Sequence, residues 1–404
     1  MKKIILVLLA LQLTCLPLQA AGMQQSPALV HHGAFLTALP DGVAINAHQV
    51  DQPLIPASIL KIVTALAGLE LLGERYRFPT YFFITPGIDL WIKGQGDPLL
   101  ISEEIDVIAG ELRKNGLREF RNLYLDNSAY QLEENSISES RTNNPYDSAL
   151  SALAVNFNTI HVEVLADGRI QSAEEQTPTI PLMHELGQGL APGVHRINVS
   201  RDRRQIQRLA AETFKAIFAE HGISMRGRAM PREIPRQAGL FYIHYSKPLV
   251  DLVPAMLLYS NNFMANQIFL ALGQERFGPP VTWHKARQAI NYFVRQRGLS
   301  SRQITIIDGA GLHRGNRITA RAMLAFLQEF RPYAHLLPQH KEWLLKSGTM
   351  TDVYAYAGYL GQHGAAPAVV VILNQPDNNR EMLVQQLADE ILSVSKQQTM
   401  IDSE

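Results

Sequence analysis

The feature that most constrains this chain is a run at residues 58–72 that is apolar on every side. Ten of its fifteen residues are apolar, and they fall on all faces of a helix with 3.6 residues per turn. Such a helix is buried all round, whereas a surface helix would carry one polar face. The run therefore predicts a central core helix, and a charged residue inside it needs a reason.

Lys61 is that charged residue, and it lies one helical turn after Ser58. Residues three apart on a helix share a face, with about 5–6 Å between their β-carbons, so the amine and the hydroxyl are within hydrogen-bonding reach. Burial lowers the pKa of a lysine, and a neutral Lys61 can accept the proton of Ser58. The start of the helix after Pro56 adds positive potential where an alkoxide would form.

A structural interpretation of the same two residues stays open. Ser58 can cap the helix, and Lys61 can reach water with its ammonium group while its stem stays buried. Because Ser-x-x-Lys is short and frequent by chance, the pair alone does not decide between a structural and a catalytic role.

Length and charge exclude several classes of protein. The chain has 404 residues, of which 46% are hydrophobic, enough for a large core in two or three domains. Lys+Arg and Asp+Glu both number 37, so no bulk charge attracts nucleic acid or an anionic membrane. The thirteen histidines include no His-Glu-x-x-His, and we expect neither a metal nor another cofactor.

The N-terminus has the pattern of an export signal. Lys2 and Lys3 precede an apolar stretch at residues 4–18, and small residues follow it, which predicts a cleaved signal peptide at 1–21 and a periplasmic product. Cys15, the only cysteine, lies in that stretch after a poor match to a lipoprotein cleavage box. We therefore expect a soluble product without a membrane anchor.

The mature chain reads as a mixture of strands and helices. Strands are expected at residues 33–39, 43–45, 80–85, 88–93, 122–126, 159–165, 343–349, 353–360 and 368–373, and further helices at 101–114, 203–221, 249–258, 262–272, 283–297, 319–330 and after Asp377. The opening hairpin, the last three strands and the last helix can share one sheet, with the central helices on its other face. Pro-rich stretches at 177–192 and 231–235 are expected to be linkers.

A second candidate motif lies between two predicted helices. Ser260 and Asn262 are two apart at this junction, where both side chains can turn inward from a bend. Tyr259 and Asn261 form an alternative pair, but neighbouring positions point about 100° apart, so only one pair can face Ser58. We favour Ser260 and Asn262, because Tyr259 continues an apolar run as a core aromatic would.

A third candidate motif, Lys346-Ser347-Gly348-Thr349, lies on a predicted strand. Strand alternation places Ser347 and Thr349 on the same side. Gly348 leaves room for a substrate to lie along the strand as an added β-strand. Taken alone, this motif and the second one recur in unrelated proteins.

The three motifs in this order match the Ser-x-x-Lys, Ser-Asp-Asn and Lys-Thr-Gly set of penicillin-binding proteins and β-lactamases. On these motifs the chain resembles the D-alanyl-D-alanine carboxypeptidase/endopeptidase family, the class C low-molecular-mass penicillin-binding proteins. The resemblance covers residues 54–78, 90–99, 308–319 and 345–349. Departures from the family pattern are Asn261, Asn266, Ala310 and His313, which we expect to affect substrate range and rate rather than the reaction.

The resemblance implies the fold and the domain organisation. It implies an α/β (α+β) fold with a penicillin-binding-protein/serine β-lactamase-like transpeptidase domain, in which helices flank an antiparallel sheet. The 202 positions from Ser58 to Ser260 fit members with an insert, whereas β-lactamases have a short connection. We expect the transpeptidase-like domain at 22–82 and 246–404, and an inserted accessory α/β region at 83–245.

The resemblance also implies a periplasmic serine DD-peptidase that cleaves the terminal D-Ala-D-Ala bond of peptidoglycan stem peptides, or D-Ala-diaminopimelate cross-links, and is inhibited by β-lactams. The implied roles are nucleophile for Ser58, base for Lys61, proton relay for Ser260, amide binding for Asn262, carboxylate binding for Lys346 with Ser347 or Thr349, and oxyanion binding by the backbone amides of Ser58 and Thr349. Three alternatives are a β-lactamase, an esterase of the same fold, and a catalytically weak peptidoglycan-binding protein.

Overall fold

The structure is a computed structural model that describes residues 26–132, 148–200 and 202–401. The predicted signal peptide at 1–21 lies outside these residues. Within them, no helix is long and apolar enough to cross a membrane.

The strands, in chain order, are β1 (Gly33–Ala38), β2 (Ala44–His48), β3 (Pro79–Ile84), β4 (Leu90–Lys93), β5 (Glu119–Phe120), β6 (Leu123–Asp126), β7 (Thr159–Val164), β8 (Ile170–Ser172), β9 (Gly193–Asn198), β10 (Ser224–Met225), β11 (Ala229–Pro231), β12 (Gly239–Tyr245), β13 (Ile304–Thr305), β14 (Arg317–Ile318), β15 (Gln339–His340), β16 (Trp343–Met350), β17 (Val353–Tyr359) and β18 (Ala368–Leu373). The helices are α1 (Lys61–Leu71), α2 (Ser102–Lys114), α3 (Pro181–Gly187), α4 (Arg203–Glu220), α5 (Leu249–Leu258), α6 (Asn262–Phe277), α7 (Trp283–Arg295), α8 (Ala320–Phe330) and α9 (Arg380–Ile401).

The central element is a six-stranded antiparallel sheet in the order β15-β16-β17-β18-β1-β2. The opening hairpin joins the end of the chain because β1 pairs with β18, in the register Phe35 opposite Val371. β16 pairs with β17 so that Ser347 lies opposite Tyr356. The prediction that the opening hairpin and the last three strands share one sheet is confirmed.

Helices cover both faces of this sheet. On one face, α9 packs its residues Leu383, Val384 and Leu387 against strand side chains such as Val371. On the other face lies the largest apolar cluster, to which α1, α5, α6, α7 and α8 contribute. The antiparallel sheet flanked by helices is therefore confirmed.

Helix α1 is the buried core helix that the apolar run predicted. Every residue from Lys61 to Leu69 is buried. The helix is shorter than predicted at its start, because a 3₁₀ helix, Ala57–Leu60, precedes it. Ser58 therefore lies on a 3₁₀ turn rather than on the α-helix itself.

The segment between β3 and β12 builds sheets of its own. Five strands in the order β11-β6-β4-β3-β12 pack on α2 and α4 around a separate apolar cluster, and β8-β7-β9 pack with α3 around another. These separate cores favour the predicted accessory region, although its first strand starts at Pro79, before residue 83. The boundaries of the two domains stay a prediction.

One linker prediction is wrong. The Pro-rich stretch at 177–192 contains α3, whose first residue is Pro181. Proline is well suited to the first turn of a helix because its missing N–H would have no partner there. Leu182 and Met183 then pack into the apolar cluster beside β7.

Leu66→Ala should destabilise the protein far more than Leu71→Ala on the same helix. Leu66 is fully buried and Leu71 is 37% exposed. We expect Leu66→Ala to lower the free energy of unfolding by about 2–5 kcal/mol, and Leu71→Ala by about 1 kcal/mol or less. Denaturant titration measures both values, and equal losses would contradict the central position of α1.

Candidate active site

Ser58 lies on a strained turn that directly precedes α1. The residue before it, Ala57, has φ +48°, in the left-handed region that is unfavourable for a residue with a β-carbon. Lys61 follows as the first residue of α1 and is fully buried. Its Nζ lies 2.9 Å from Ser58 Oγ, so the structure brings the first predicted pair together.

Lys61 Nζ has two further hydrogen-bond partners, both of which can only accept. It donates to Asn262 Oδ1 at 2.7 Å and to the backbone carbonyl of Ala310 at 2.8 Å. A neutral amine has two N–H groups and one lone pair. Since the two oxygens take both hydrogens, the lone pair is left for the Ser58 hydroxyl. The geometry thus fits a neutral Lys61 that accepts the proton of Ser58.

The electrostatics of the site favour that neutral form. Burial is the main reason that the pKa of Lys61 lies well below its ordinary value, and the positive charge of Lys346 lowers this pKa further. The carboxylate of Asp308 acts in the opposite direction. Desolvation of the ammonium therefore outweighs the one acidic neighbour that stabilises it.

Ser260 also lies on a strained turn. Its φ is +51°, and its Oγ accepts a hydrogen bond from Lys346 Nζ at 3.0 Å. Lys346, which is buried, also donates to the backbone carbonyl of Ser347 at 2.7 Å. Burial, together with the charge of Arg380, lowers the pKa of Lys346 to about 8. The second and third predicted motifs are thus in direct contact.

The two asparagines of the junction have different environments. Asn262 contacts Lys61, whereas the side chain of Asn261 caps α6 by accepting the N–H of Met264 at 3.0 Å. The expectation that Tyr259 is a core aromatic is wrong, because it is 78% exposed. Helix α5 ends at Leu258, and the turn that follows leaves Tyr259 on the surface. The structure therefore places Asn262, and not Asn261, against Lys61.

Strand β16 packs directly against the turn that carries Ser58. A β-carbon on Gly348 would lie 2.8 Å from the carbonyl oxygen of Pro56 and 3.0 Å from the nitrogen of Ser58. Only glycine fits at this distance. The glycine of the third motif therefore lets the two backbones approach each other.

One edge of β16 is open beside these residues. β17 pairs with β16 along its length, from Leu344 to Met350. On the other side β15 reaches only Trp343 and Leu344, and no other strand in the described ranges pairs there. Ser347 is partly buried and Thr349 is exposed. An extended peptide can therefore add to this edge through backbone hydrogen bonds.

Asp308, for which the sequence predicted no role, holds the loop that faces Lys61. Its carboxylate accepts the backbone N–H groups of Ala310, Gly311, Leu312 and His313. Asn266 Oδ1 supports the same loop by accepting the N–H groups of Gly309 and Ala310 at 2.9 and 3.1 Å. These bonds fix the Ala310 carbonyl on Lys61. Asp-Gly-x-Gly was visible in the sequence as a turn signal.

Comparison with protein families gives a match over most of the chain. The family model of the D-Ala-D-Ala carboxypeptidase 3 (S13) family matches residues 19–186 and 184–335. These matches include Ser58, Lys61, Ser260 and Asn262.

Two curated relatives are similar to this chain. A D-alanyl-D-alanine carboxypeptidase from Actinomadura sp. (strain R39) is 26% identical over 346 residues, which cover 73% of this chain and 63% of the relative. The chain thus spans less than two thirds of that relative's length. The D-alanyl-D-alanine carboxypeptidase DacB of Haemophilus influenzae is 22% identical over 385 residues, which cover 80% of each protein.

A solved structure has a similar fold. Penicillin-binding protein 4 (dacB) from Haemophilus influenzae matches with a TM-score of 0.74 at 19% identity, over 88% of this chain and 94% of that chain. The same protein complexed with a β-lactam matches with a TM-score of 0.67. The expected penicillin-binding-protein fold is therefore confirmed.

Alanine substitution separates the two asparagines. Asn262→Ala removes an acceptor of Lys61, and since a buried donor left without a partner costs about 1–3 kcal/mol, we expect acylation by penicillin to slow about five- to a hundredfold. Asn261→Ala removes a helix cap and should cost about 0.5–2 kcal/mol of stability with acylation retained. Fluorescent-penicillin labelling and denaturant titration measure the two effects. The reverse pattern would assign the chemistry to Tyr259 and Asn261.

Proposed function

Because this chain belongs to the D-Ala-D-Ala carboxypeptidase 3 (S13) family, we propose that it is a serine DD-peptidase with Ser58 as its nucleophile. The family expected from the three motifs is confirmed. The observation that carries the assignment of the nucleophile is the fully buried amine of Lys61 at 2.9 Å from Ser58 Oγ. We propose peptidoglycan stem peptides that end in D-Ala-D-Ala as the substrate.

In the proposed acylation step, Ser58 Oγ attacks the carbonyl carbon of the penultimate D-alanine. Lys61 accepts the hydroxyl proton as the new C–O bond forms. The backbone N–H groups of Ser58 and Thr349 would bind the oxyanion. The close approach of β16 to the Ser58 turn at Gly348 supports this role, because it brings the two backbones side by side.

The leaving group requires a proton as the amide bond breaks. Lys346 donates to Ser260 Oγ, which leaves the hydroxyl hydrogen of Ser260 free to move to the leaving nitrogen, while the proton taken up by Lys61 replaces it and Lys61 becomes neutral again. Lys346 with Ser347 or Thr349 would bind the terminal carboxylate, and Asn262 the substrate amide. Water then hydrolyses the ester on Ser58 and restores the hydroxyl. A D-Ala-diaminopimelate cross-link can react in the same way, since only the leaving amine differs.

A long-lived penicillin adduct follows from the same site. The carboxylate of Asp308, which acts electrostatically on Lys61, already accepts four backbone N–H groups. It is therefore poorly placed to activate water as a fast β-lactamase would require. We accordingly propose β-lactams as slowly released inhibitors. The predicted export signal supports a periplasmic location.

Penicillin should add the mass of one drug molecule to the protein, on the peptide that carries Ser58. The adduct should be lost in Ser58→Ala and kept in Ser128→Ala, a control in the accessory region. Intact-mass analysis and peptide mapping measure this, and release of D-alanine from a D-Ala-D-Ala muropeptide tests the peptidase. An adduct on Ser58→Ala would refute the nucleophile, and rapid repeated turnover of penicillin would favour a β-lactamase.

The rate of acylation should depend on pH through the two lysines. The rate rises with pH as Lys61 loses its proton, and falls as Lys346 loses its own at a pKa of about 8. Lys346→Arg should move the alkaline fall to higher pH, because guanidinium keeps its charge. Initial rates of penicillin labelling across the neutral and alkaline range check this. An alkaline fall that does not move in Lys346→Arg would mean that another group causes it.

A further inference from the structure

Arg380, the first residue of α9, is fixed on the strand that carries the third motif. Its Nη1 donates to the carbonyl oxygen of Gly348 and to Thr349 Oγ1, both at 2.7 Å. The guanidinium carbon lies 4.6 Å from the ring centroid of Tyr356 on β17. Two hydrogen bonds and an aromatic contact therefore hold this half-buried cation in one position.

Arg380 and Lys346 have no acidic partner within ion-pairing distance among the described residues. Glu381, the next residue along the helix, interacts with other residues instead. Its carboxylate lies 2.5 Å from Lys341 Nζ and 3.0 Å from His340 Nε2, and it accepts the hydroxyl of Tyr356 at 3.0 Å. Arg380 and Lys346 are close enough that the charge of the first lowers the pKa of the second. Two neighbouring cations without a counter-charge make a site for an anion.

We propose that Arg380 binds the substrate carboxylate together with Lys346 and Thr349, and so selects substrates in which this group is a free carboxylate. This inference rests on the proposed DD-peptidase function. A guanidinium has five N–H groups in a planar fork that suits a carboxylate, and the strand uses only Nη1. Thr349, which already contacts Arg380, lies on the open edge where the substrate would end.

The chemistry of the leaving groups makes this selection general. In D-alanine, the carbon bonded to the leaving nitrogen carries a carboxylate. The same is true of a diaminopimelate residue in which the carbon that carries the linked amino group also carries a free carboxylate. Arg380 would therefore serve both the carboxypeptidase and the endopeptidase reaction. Substrates with an amidated carboxylate at this position would lose a charge-assisted hydrogen bond and the attraction of two cations.

The test compares an acylated D-Ala-D-Ala peptide with the same peptide ending in a carboxamide. We expect the wild-type protein to prefer the carboxylate in kcat/KM. Arg380→Ala should lower that preference about ten- to a hundredfold, the range expected for a hydrogen bond to a charged group. The loss should lie mainly in KM, and Arg380→Lys should recover part of it. Met382→Ala, an exposed position on the same helix, should keep the wild-type preference.

The outcomes separate this inference from the proposed function. If Arg380→Ala slows both peptides equally, Arg380 only shapes β16, and the inference is wrong. It is equally wrong if the preference is unchanged. In both cases a penicillin adduct on Ser58 would leave the DD-peptidase assignment standing. If the wild-type protein cleaves neither peptide and forms no adduct, the proposed function fails and the inference fails with it.

Discussion

The site depends on the burial of one amine. Lys61 is fully buried at the start of a helix that is apolar on all sides, and water cannot solvate its charge there. The energetic cost of a buried ammonium is avoided when the amine is neutral, and its two N–H groups then satisfy Asn262 and Ala310. Core packing thus favours the neutral amine that the proposed role of Lys61 as a base requires.

Two of these partners, Asn262 and Ala310, come from distant parts of the chain, and the fold must position each one. The sheet and the helices set the coarse arrangement, and strained turns set the final directions. Ala57 and Ser260 both have positive φ, at a cost of about 1–3 kcal/mol each. The large core around α1 offsets such a cost. Ala57 directly precedes Ser58, and Ser260 is itself a residue to which we assign chemistry.

The sequence revealed the parts of this architecture that local pattern determines. The buried helix, the hairpin and the strand of the third motif each have a period or a turn that can be read directly. Tyr259 was misjudged because the exposure of a residue at a helix end depends on the turn that follows. Helix α3 was missed because its prolines indicated a linker. Arg380 gave no signal for its contacts, since its partners lie 31 and 32 positions away, and the turn signal at Asp308 did not indicate that its loop faces Lys61.

Two neighbouring cations, Lys346 and Arg380, shape the electrostatics around Lys61. The charge of Lys346 lowers the pKa of Lys61, and the charge of Arg380 lowers the pKa of Lys346. Repulsion therefore extends from Arg380 through Lys346 to Lys61, and it favours the neutral amine of Lys61. A carboxylate bound between Arg380 and Lys346 would relieve the repulsion at Lys346 and raise its pKa, because an anion stabilises the ammonium. The substrate itself would then help to keep Lys346 protonated and in contact with Ser260 while Lys61, deeper in the core, stays neutral.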